Sequence, residues 1–211
     1  MCKRNELNEE ELIEMIKKTE KMDLNQKEDK TKKTILHYLA GKEKIKLTTY
    51  KYLLEKNANP NLKDKYQDTP LHLLCTQNKP DFEVLRLFAQ FNGDLNSING
   101  EESTPFHLIS RKQHPPCSFI DFFLSNKANP NALDSNGVSP FHEICKTEIN
   151  LDQKLIEIFL LNNADPNLVS EDNSIFMEVC QNLSVTTNII KLFLEYNSNE
   201  SEVDSLGKLK K

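Results

Sequence analysis

The chain has 211 residues, 37% hydrophobic and 28% charged, with 27 Lys and Arg against 32 Asp and Glu and a net charge of −5. That balance supports a folded core and excludes a uniformly basic nucleic-acid binder. No apolar run approaches the ~18 residues that span a bilayer, and Met1-Cys2-Lys3-Arg4-Asn5-Glu6 has no apolar signal core behind it, which points to the cytosol or nucleus. The charge is uneven: residues 1–60 hold 14 Lys and Arg against 11 Asp and Glu, a balance of +3 that leaves −8 for the remainder.

In chain order, residues 1–22 come first. Asn8-Glu9-Glu10-Glu11 reads as a helix N-cap with a Glu at the third position, followed by Leu12, Ile13, Met15 and Ile16 on one face and Glu14, Lys17, Lys18 and Lys21 on the other. This predicts a capping helix with a wet outer side, as the end of an array requires.

From there one motif returns every 35 positions. Thr34-Ile35-Leu36-His37, Thr69-Pro70-Leu71-His72, Thr104-Pro105-Phe106-His107, Ser139-Pro140-Phe141-His142 and Ser174-Ile175-Phe176-Met177 stand in one register. A fixed stride of this length is the signature of a stacked-repeat architecture. The boundaries it sets are 1–22 for the capping helix, five repeats at about 23–58, 59–93, 94–128, 129–164 and 165–199, and a polar tail over 200–211.

Each repeat reads as turn, short helix, loop and longer helix. Thr69, Thr104 and Ser139 suit the N-cap, and the prolines after them suit the first helical position, whose N–H has no partner in any case. Thr48, Ser118, Asn150 and Thr187 are the expected caps of four longer helices. These are apolar on nearly every side, each interrupted by one polar residue (Lys51, Arg86, Asp121, Glu157 and Lys191) expected on the outer face. Asn57, Asn92, Asn163 and Asn197 fall where a left-handed residue ends a helix, a place asparagine takes well. Lys127 fills that place in the third repeat and predicts local strain. Asn59-Pro60-Asn61, Asn129-Pro130-Asn131 and Asp165-Pro166-Asn167 then lead into hairpin-like fingers, with Asp134-Ser135-Asn136-Gly137 the clearest turn. Cys75, Cys145 and Cys180 share one slot with Ala40 and Ser110, so the slot asks for a small side chain, and reduced thiols are expected.

These residues resemble ankyrin repeats, whose unit is a β-turn and two antiparallel helices with a Thr-Pro-Leu-His-x-Ala signature. The resemblance covers roughly 23–199, with Asn61 through His72, Asn131 through His142, Leu53 through Ala58 and Phe159 through Ala164 the closest stretches. The chain departs from the family in lacking the helix-ending glycine and in carrying about two extra residues per repeat, as in Gln77-Asn78-Lys79-Pro80-Asp81. The resemblance implies an all-α solenoid of about five helix-turn-helix repeats with β-turn fingers and a concave face. It implies no activity.

Four constellations bear on chemistry. His72 with Cys75 and His142 with Cys145 have a spacing that can offer two zinc ligands, yet His37 with Ala40 and His107 with Ser110 hold the same positions without a second ligand. A buried histidine bonded to a neighbouring turn, as the resemblance implies, is the preferred reading. Cys145 with His142 and Glu143, or Cys117 beside His114 in a Pro-Pro loop, lacks an orienting partner for nucleophilic catalysis, and no phosphate-binding Gly-rich loop or carboxylate pair is present. No enzyme, cofactor or metal is expected. The cluster Lys27, Lys30, Lys32, Lys33, Lys42, Lys44 and Lys46 is a candidate patch for an acidic ligand or nucleic acid, without aromatic residues to stack on bases, since Tyr50 and Tyr52 fall on a buried helix.

By family register the exposed finger positions are Lys63, Lys65, Tyr66, Asp68, Ile98, Glu101, Ser103, Leu133, Ser135, Asn136 and Val138, joined by Thr76, Gln77, Arg111, Lys112, Lys146 and Thr147 on the short helices. Tyr66, Ile98, Leu133 and Val138 are apolar where a solitary array would be polar, the mark of an interface core. The expectation is a module, monomeric by itself, that binds a partner protein through groove and fingers, as an adaptor or an inhibitor. The Lys27–Lys46 patch, or service as the substrate-docking subunit of a separate enzyme, stands as the alternative.

Overall fold

A Thr or Ser followed by Pro or Ile starts each short helix described below, in extended conformation at Thr34, Thr69, Thr104 and Ser174. The computed structural model describes residues 9–18, 23–147, 151–170, 173–182 and 184–196. Asn8, Asn150, Asn197 and the 200–211 tail lie outside the described residues. The chain divides into two compact units, residues 1–94 and 95–211.

The first unit holds α1 (Glu9–Lys18), α2 (Ile35–Ala40), α3 (Leu47–Glu55), α4 (Pro70–Thr76) and α5 (Phe82–Gln90). Short helix packs on short helix (α2 on α4) and long on long (α3 on α5). Leu36, Leu71, Leu53 and Leu85 are fully buried between them, and Tyr50 meets Phe88 edge-on at 5.6 Å. Of the expected apolar face of α1, Ile16 is buried while Met15 is 47% exposed. Tyr52 is only half-buried, with Lys17 Nζ 5.8 Å above its ring.

The second unit holds α6 (Pro105–Ser110), α7 (Cys117–Ser125), α8 (Pro140–Thr147), α9 (Gln153–Leu161), a two-stranded hairpin of β1 (Val169–Ser170) and β2 (Asn173–Ser174), α10 (Ile175–Gln181) and α11 (Thr187–Glu195). The strands pair antiparallel, Val169 opposite Ser174 and Ser170 opposite Asn173. Again α6, α8 and α10 stack, as do α7, α9 and α11. Phenylalanine at the motif's third position makes this core aromatic. Phe123, Phe106, Phe159, Phe141, Phe193 and Phe176 stack in series, with successive centroids 5.2, 5.5, 4.7, 5.9 and 5.5 Å apart. Each buried Phe removes apolar area worth ~1.5–3 kcal/mol, with offset stacking adding a further fraction.

The caps of the short helices follow the sequence: the hydroxyls of Thr69, Thr104 and Ser139 accept from the N–H of His72, His107 and His142. The caps of the long helices do not. Helix α3 begins after Lys46 and α7 after Pro116, one or two residues before Thr48 and Ser118, and α11 begins after Thr186. Asp81 and Asp152 cap α5 and α9, accepting from Glu83 and Lys154 N–H at 2.9 Å each. For α3 the missing cap comes from another element: the Glu9 carboxylate accepts from Lys46 N–H at 3.1 Å and Thr49 Oγ at 2.7 Å.

Helix ends need a left-handed residue, and Asn57, Asn92, Lys127 and Asn163 supply it with φ of 63°, 58°, 64° and 61°. A second left-handed place recurs in the fingers at Lys32, Gln67, Glu102 and Gly137. Lys51, Arg86, Asp121, Glu157 and Lys191 are exposed as expected. In the small-residue slot Ala40, Cys75, Ser110 and Cys145 are buried and Cys180 is half-buried; the cysteines there are free thiols.

Candidate partner-binding surface

A finger is held by one carboxylate or amide at its base. Asp64 Oδ1 accepts from Tyr66 and Asp68 N–H at 2.8 and 3.1 Å, Asn99 Oδ1 from Glu101 and Ser103 at 3.0 and 3.1 Å, and Asp134 Oδ1 from Asn136 and Val138 at 2.9 and 3.0 Å. Neighbouring fingers are tied by backbone bonds, Lys65 N–H to Thr31 O at 2.9 Å in the first unit and Ser135 N–H to Glu101 O at 3.0 Å in the second.

In three places a motif histidine bolts a finger to the preceding short helix. In His37, His107 and His142 the Nδ1 accepts from the backbone N–H of Thr34, Thr104 and Ser139 at 3.1, 3.0 and 3.1 Å. That bond fixes the proton on Nε2, which donates to the carbonyls of Asp68, Val138 and Leu168 at 3.0, 3.1 and 3.0 Å. Burial disfavours the charged ring, so all three pKa values lie below the usual histidine value, with His142 pushed down to about 4. Both nitrogens of these rings are already committed, so His142 has no lone pair to share with Cys145 on a metal ion. The Cys145 thiol is fully desolvated and its pKa driven well up, the opposite of an activated nucleophile. Cys117 is the first residue of α7, half-buried and not in a loop; burial and the Asp152 carboxylate 3.7 Å away hold its pKa above the usual thiol value.

The finger and short-helix residues expected at an interface divide into presented and engaged ones. In the first unit Lys65, Tyr66 and Thr76 are exposed, Tyr66 to 60% with Lys65 Nζ 4.6 Å over its ring, while Lys63 and Asp68 are half-buried. Gln77 works internally, donating to the carbonyls of Ala40 and Lys42 at 2.8 and 3.0 Å. In the second unit Ile98, Glu101, Leu133, Ser135, Asn136 and Lys146 are exposed and Lys112 is half-buried.

Ser103 and Val138 correct the expectation: both are buried, at 0% and 7% exposure. They lie where the finger turns down into the helix cap, and Arg111 donates to Ser103 Oγ at 3.1 Å. Arg111 is itself spent within the unit, its Nε on Glu143 at 2.6 Å and its NH2 on the buried Asp134 at 2.5 Å. Lys146 pairs with Glu178 at 3.4 Å.

One presented residue escapes the sequence reading. Val169 is 57% exposed and stands 36 positions after Leu133, itself 35 after Ile98. The second unit therefore shows an apolar residue at the same place on three consecutive fingers, and Val169 was legible from its place two residues after Asn167, as Ile98 follows Asn96 and Leu133 follows Asn131.

In the lysine cluster, Lys27, Lys30, Lys32, Lys42, Lys44 and Lys46 are exposed, and Lys27 Nζ donates to Lys63 O at 2.6 Å. A groove of about 520 Å³ opens there between α1, the first finger and α2, with Met15, Leu24, Ile35, Tyr38 and Ile45 in its walls. Asp23 and Glu28 line it beside Lys33 and Lys42, so its charge is mixed.

Paired antiparallel helices, β-turn fingers and a histidine bolt between them define the ankyrin-repeat fold, and the chain has that fold. Residues 2–97 match the family profile described as Ankyrin repeats (3 copies). An ankyrin repeat domain from Acinetobacter baumannii AYE is similar in fold, with a TM-score of 0.74 over 89% of this chain and 92% of that one at 21% identity. No curated protein matches the sequence. Among the described residues no helix is long and apolar enough to cross a membrane.

Proposed function

We propose that the protein is a binding module that captures a partner protein on its fingers, as an adaptor or as an inhibitor that masks the partner's surface, in the cytosol or nucleus and as a monomer when alone. Ankyrin repeats are in general protein–protein interaction modules, and five of them over 23–199, capped by 1–22, suit that role. The observation that carries the reading is the apolar residue repeated on the fingers of the second unit, Ile98, Leu133 and Val169, exposed to 47%, 44% and 57%. Folding gives no reason to keep such residues in the solvent at three equivalent places, whereas an interface core does. Tyr66 offers the first unit an aromatic anchor of the type that dominates interface energies.

The experiment is affinity capture with the wild-type chain, a Tyr66→Asp variant and an Ile98→Asp/Leu133→Asp/Val169→Asp variant, with circular dichroism as the fold control. Captured partners should be lost from the triple variant at unchanged helical content. Retention of every partner by both variants would move the interface off the fingers.

A further inference from the structure

The fingers of the second unit contain no cation. Residues 95–103, 129–138 and 165–174 hold no Lys, Arg or His, and they include Glu101, Glu102, Asp134, Asp165, Glu171 and Asp172. Residues 95–211 as a whole have 9 Lys and Arg against 16 Asp and Glu. The first unit's fingers are mixed: Lys27, Lys30, Lys32 and Lys33, then Lys63 and Lys65, stand among Asp23, Glu28, Asp29, Asp64 and Asp68, and Lys63 occupies the register place that Ile98 and Leu133 take later.

Two cations of the short helices, Arg111 and Lys146, are engaged by carboxylates within the unit. Arg111 is shared by Asp134 and Glu143, and Lys146 is paired with Glu178. Glu101 and Glu102 are exposed, and their carboxylates have no partner among the described residues. They follow directly on the finger that presents Ile98, so apolar contact and negative charge lie side by side.

We infer that the second unit's finger row takes a cationic protein segment bearing spaced apolar side chains, the apolar groups seated on Ile98, Leu133 and Val169 and its Lys or Arg groups on Glu101 and Glu102. The inference rests on the fingers being the interface and adds the chemistry of the partner. Desolvated apolar area supplies the affinity, while the carboxylates at the rim set sign selectivity and speed the encounter. Nucleic acid is repelled by this surface, and an acidic segment meets like charge.

Fluorescence anisotropy of the full chain with two labelled synthetic peptides tests this. One alternates Leu and Ile with Lys and Arg, and the other replaces every Lys and Arg by Glu. The cationic peptide should bind and the acidic one should not. Glu101→Lys/Glu102→Lys should weaken binding about tenfold, ~1.4 kcal/mol, while Asp121→Lys/Glu157→Lys, the same change of net charge on exposed positions of the long helices, should leave it within about twofold.

Equal losses from both double variants would reduce the effect to overall acidity and overturn the inference, as would failure of the cationic peptide to bind. If the aspartate triple variant loses its partners while the finger glutamate reversal changes nothing, the fingers remain the interface and the cationic partner is wrong.

Discussion

Ser110 shares its slot with Ala40, Cys75 and Cys145, yet its hydroxyl is buried with no hydrogen-bond partner. A desolvated hydroxyl left unsatisfied costs ~1–3 kcal/mol, so Ser110→Ala should stabilise the chain by about 1 kcal/mol, read as a higher urea midpoint at unchanged slope. Tyr50 poses the same case on α3: its hydroxyl is buried without a partner and burial drives its pKa far up. Tyr50→Phe keeps the edge-on contact with Phe88 and should stabilise by a similar amount. A loss of stability in either variant would mean that the hydroxyl is bonded in solution. Lys127 holds a left-handed conformation that its three counterparts give to asparagine, a strain of ~1 kcal/mol for a side chain of this kind. Lys127→Gly should recover part of it. This strain was legible from the sequence, because one column of the repeat read Asn, Asn, Lys, Asn; the orphaned hydroxyls were not, since hydrogen bonding cannot be read from a register.

At the scale of elements, the fingers are joined to the helix ends by an asparagine ladder of which sequence reading saw Asn61 and Asn131, and those only as turn residues. Asn25, Asn61, Asn96 and Asn131 each donate a side-chain N–H to the carbonyl of the next left-handed residue, Asn57, Asn92, Lys127 and Asn163, at 3.1, 2.8, 2.9 and 2.8 Å. Each also accepts from the backbone N–H two residues further on, at Asn59, Asp94, Asn129 and Asp165, at 2.7, 2.8, 2.7 and 2.8 Å. One amide thus satisfies a donor and an acceptor of the following repeat, which only Asn can do with a side chain this short. Asn131→Leu should cost ~1–2 kcal/mol and Asn131→Asp less, because the acceptor survives. Equal costs would place the value in the backbone turn. The short helices were readable because their cap and proline are local features. The long-helix caps were misread because capping residues stand side by side at Thr48-Thr49 and Thr186-Thr187, because α7 starts after Pro116 with no side-chain cap, and because for α3 the cap is Glu9, 37 residues from Lys46. The Arg111 pair with Asp134 spans 23 residues and was equally hidden; removing the cation strands a carboxylate only 2% exposed. Arg111→Ala should therefore destabilise by ~3 kcal/mol in chemical denaturation, far more than a surface ion pair would.

Across the whole molecule one device recurs, the neutral histidine between cap and finger, and it ties stability to pH. In the folded chain Nδ1 of His37, His107 and His142 faces a backbone N–H and Nε2 already donates, so protonation would set two donors against each other. The folded pKa values are accordingly depressed below 6.5, His142 to about 4. An unfolded chain binds protons at these rings near pH 6.5, while the folded chain does not until the pH is far lower. Unfolding therefore takes up protons in that window, and stability is intact above pH 6.5 and falls as the pH drops toward 4. His142 alone accounts for ~3 kcal/mol across that range at 1.36 kcal/mol per unit, and His37 and His107 act in the same direction. Thermal melts from pH 8 to 4.5 should show a flat midpoint down to about 7 and then a steepening decline, with calorimetry in buffers of differing ionisation enthalpy registering net proton uptake on unfolding near pH 5.5. A midpoint that rises on acidification would require imidazolium rings in the folded array, and the bond pattern that locks finger to helix would then be wrong.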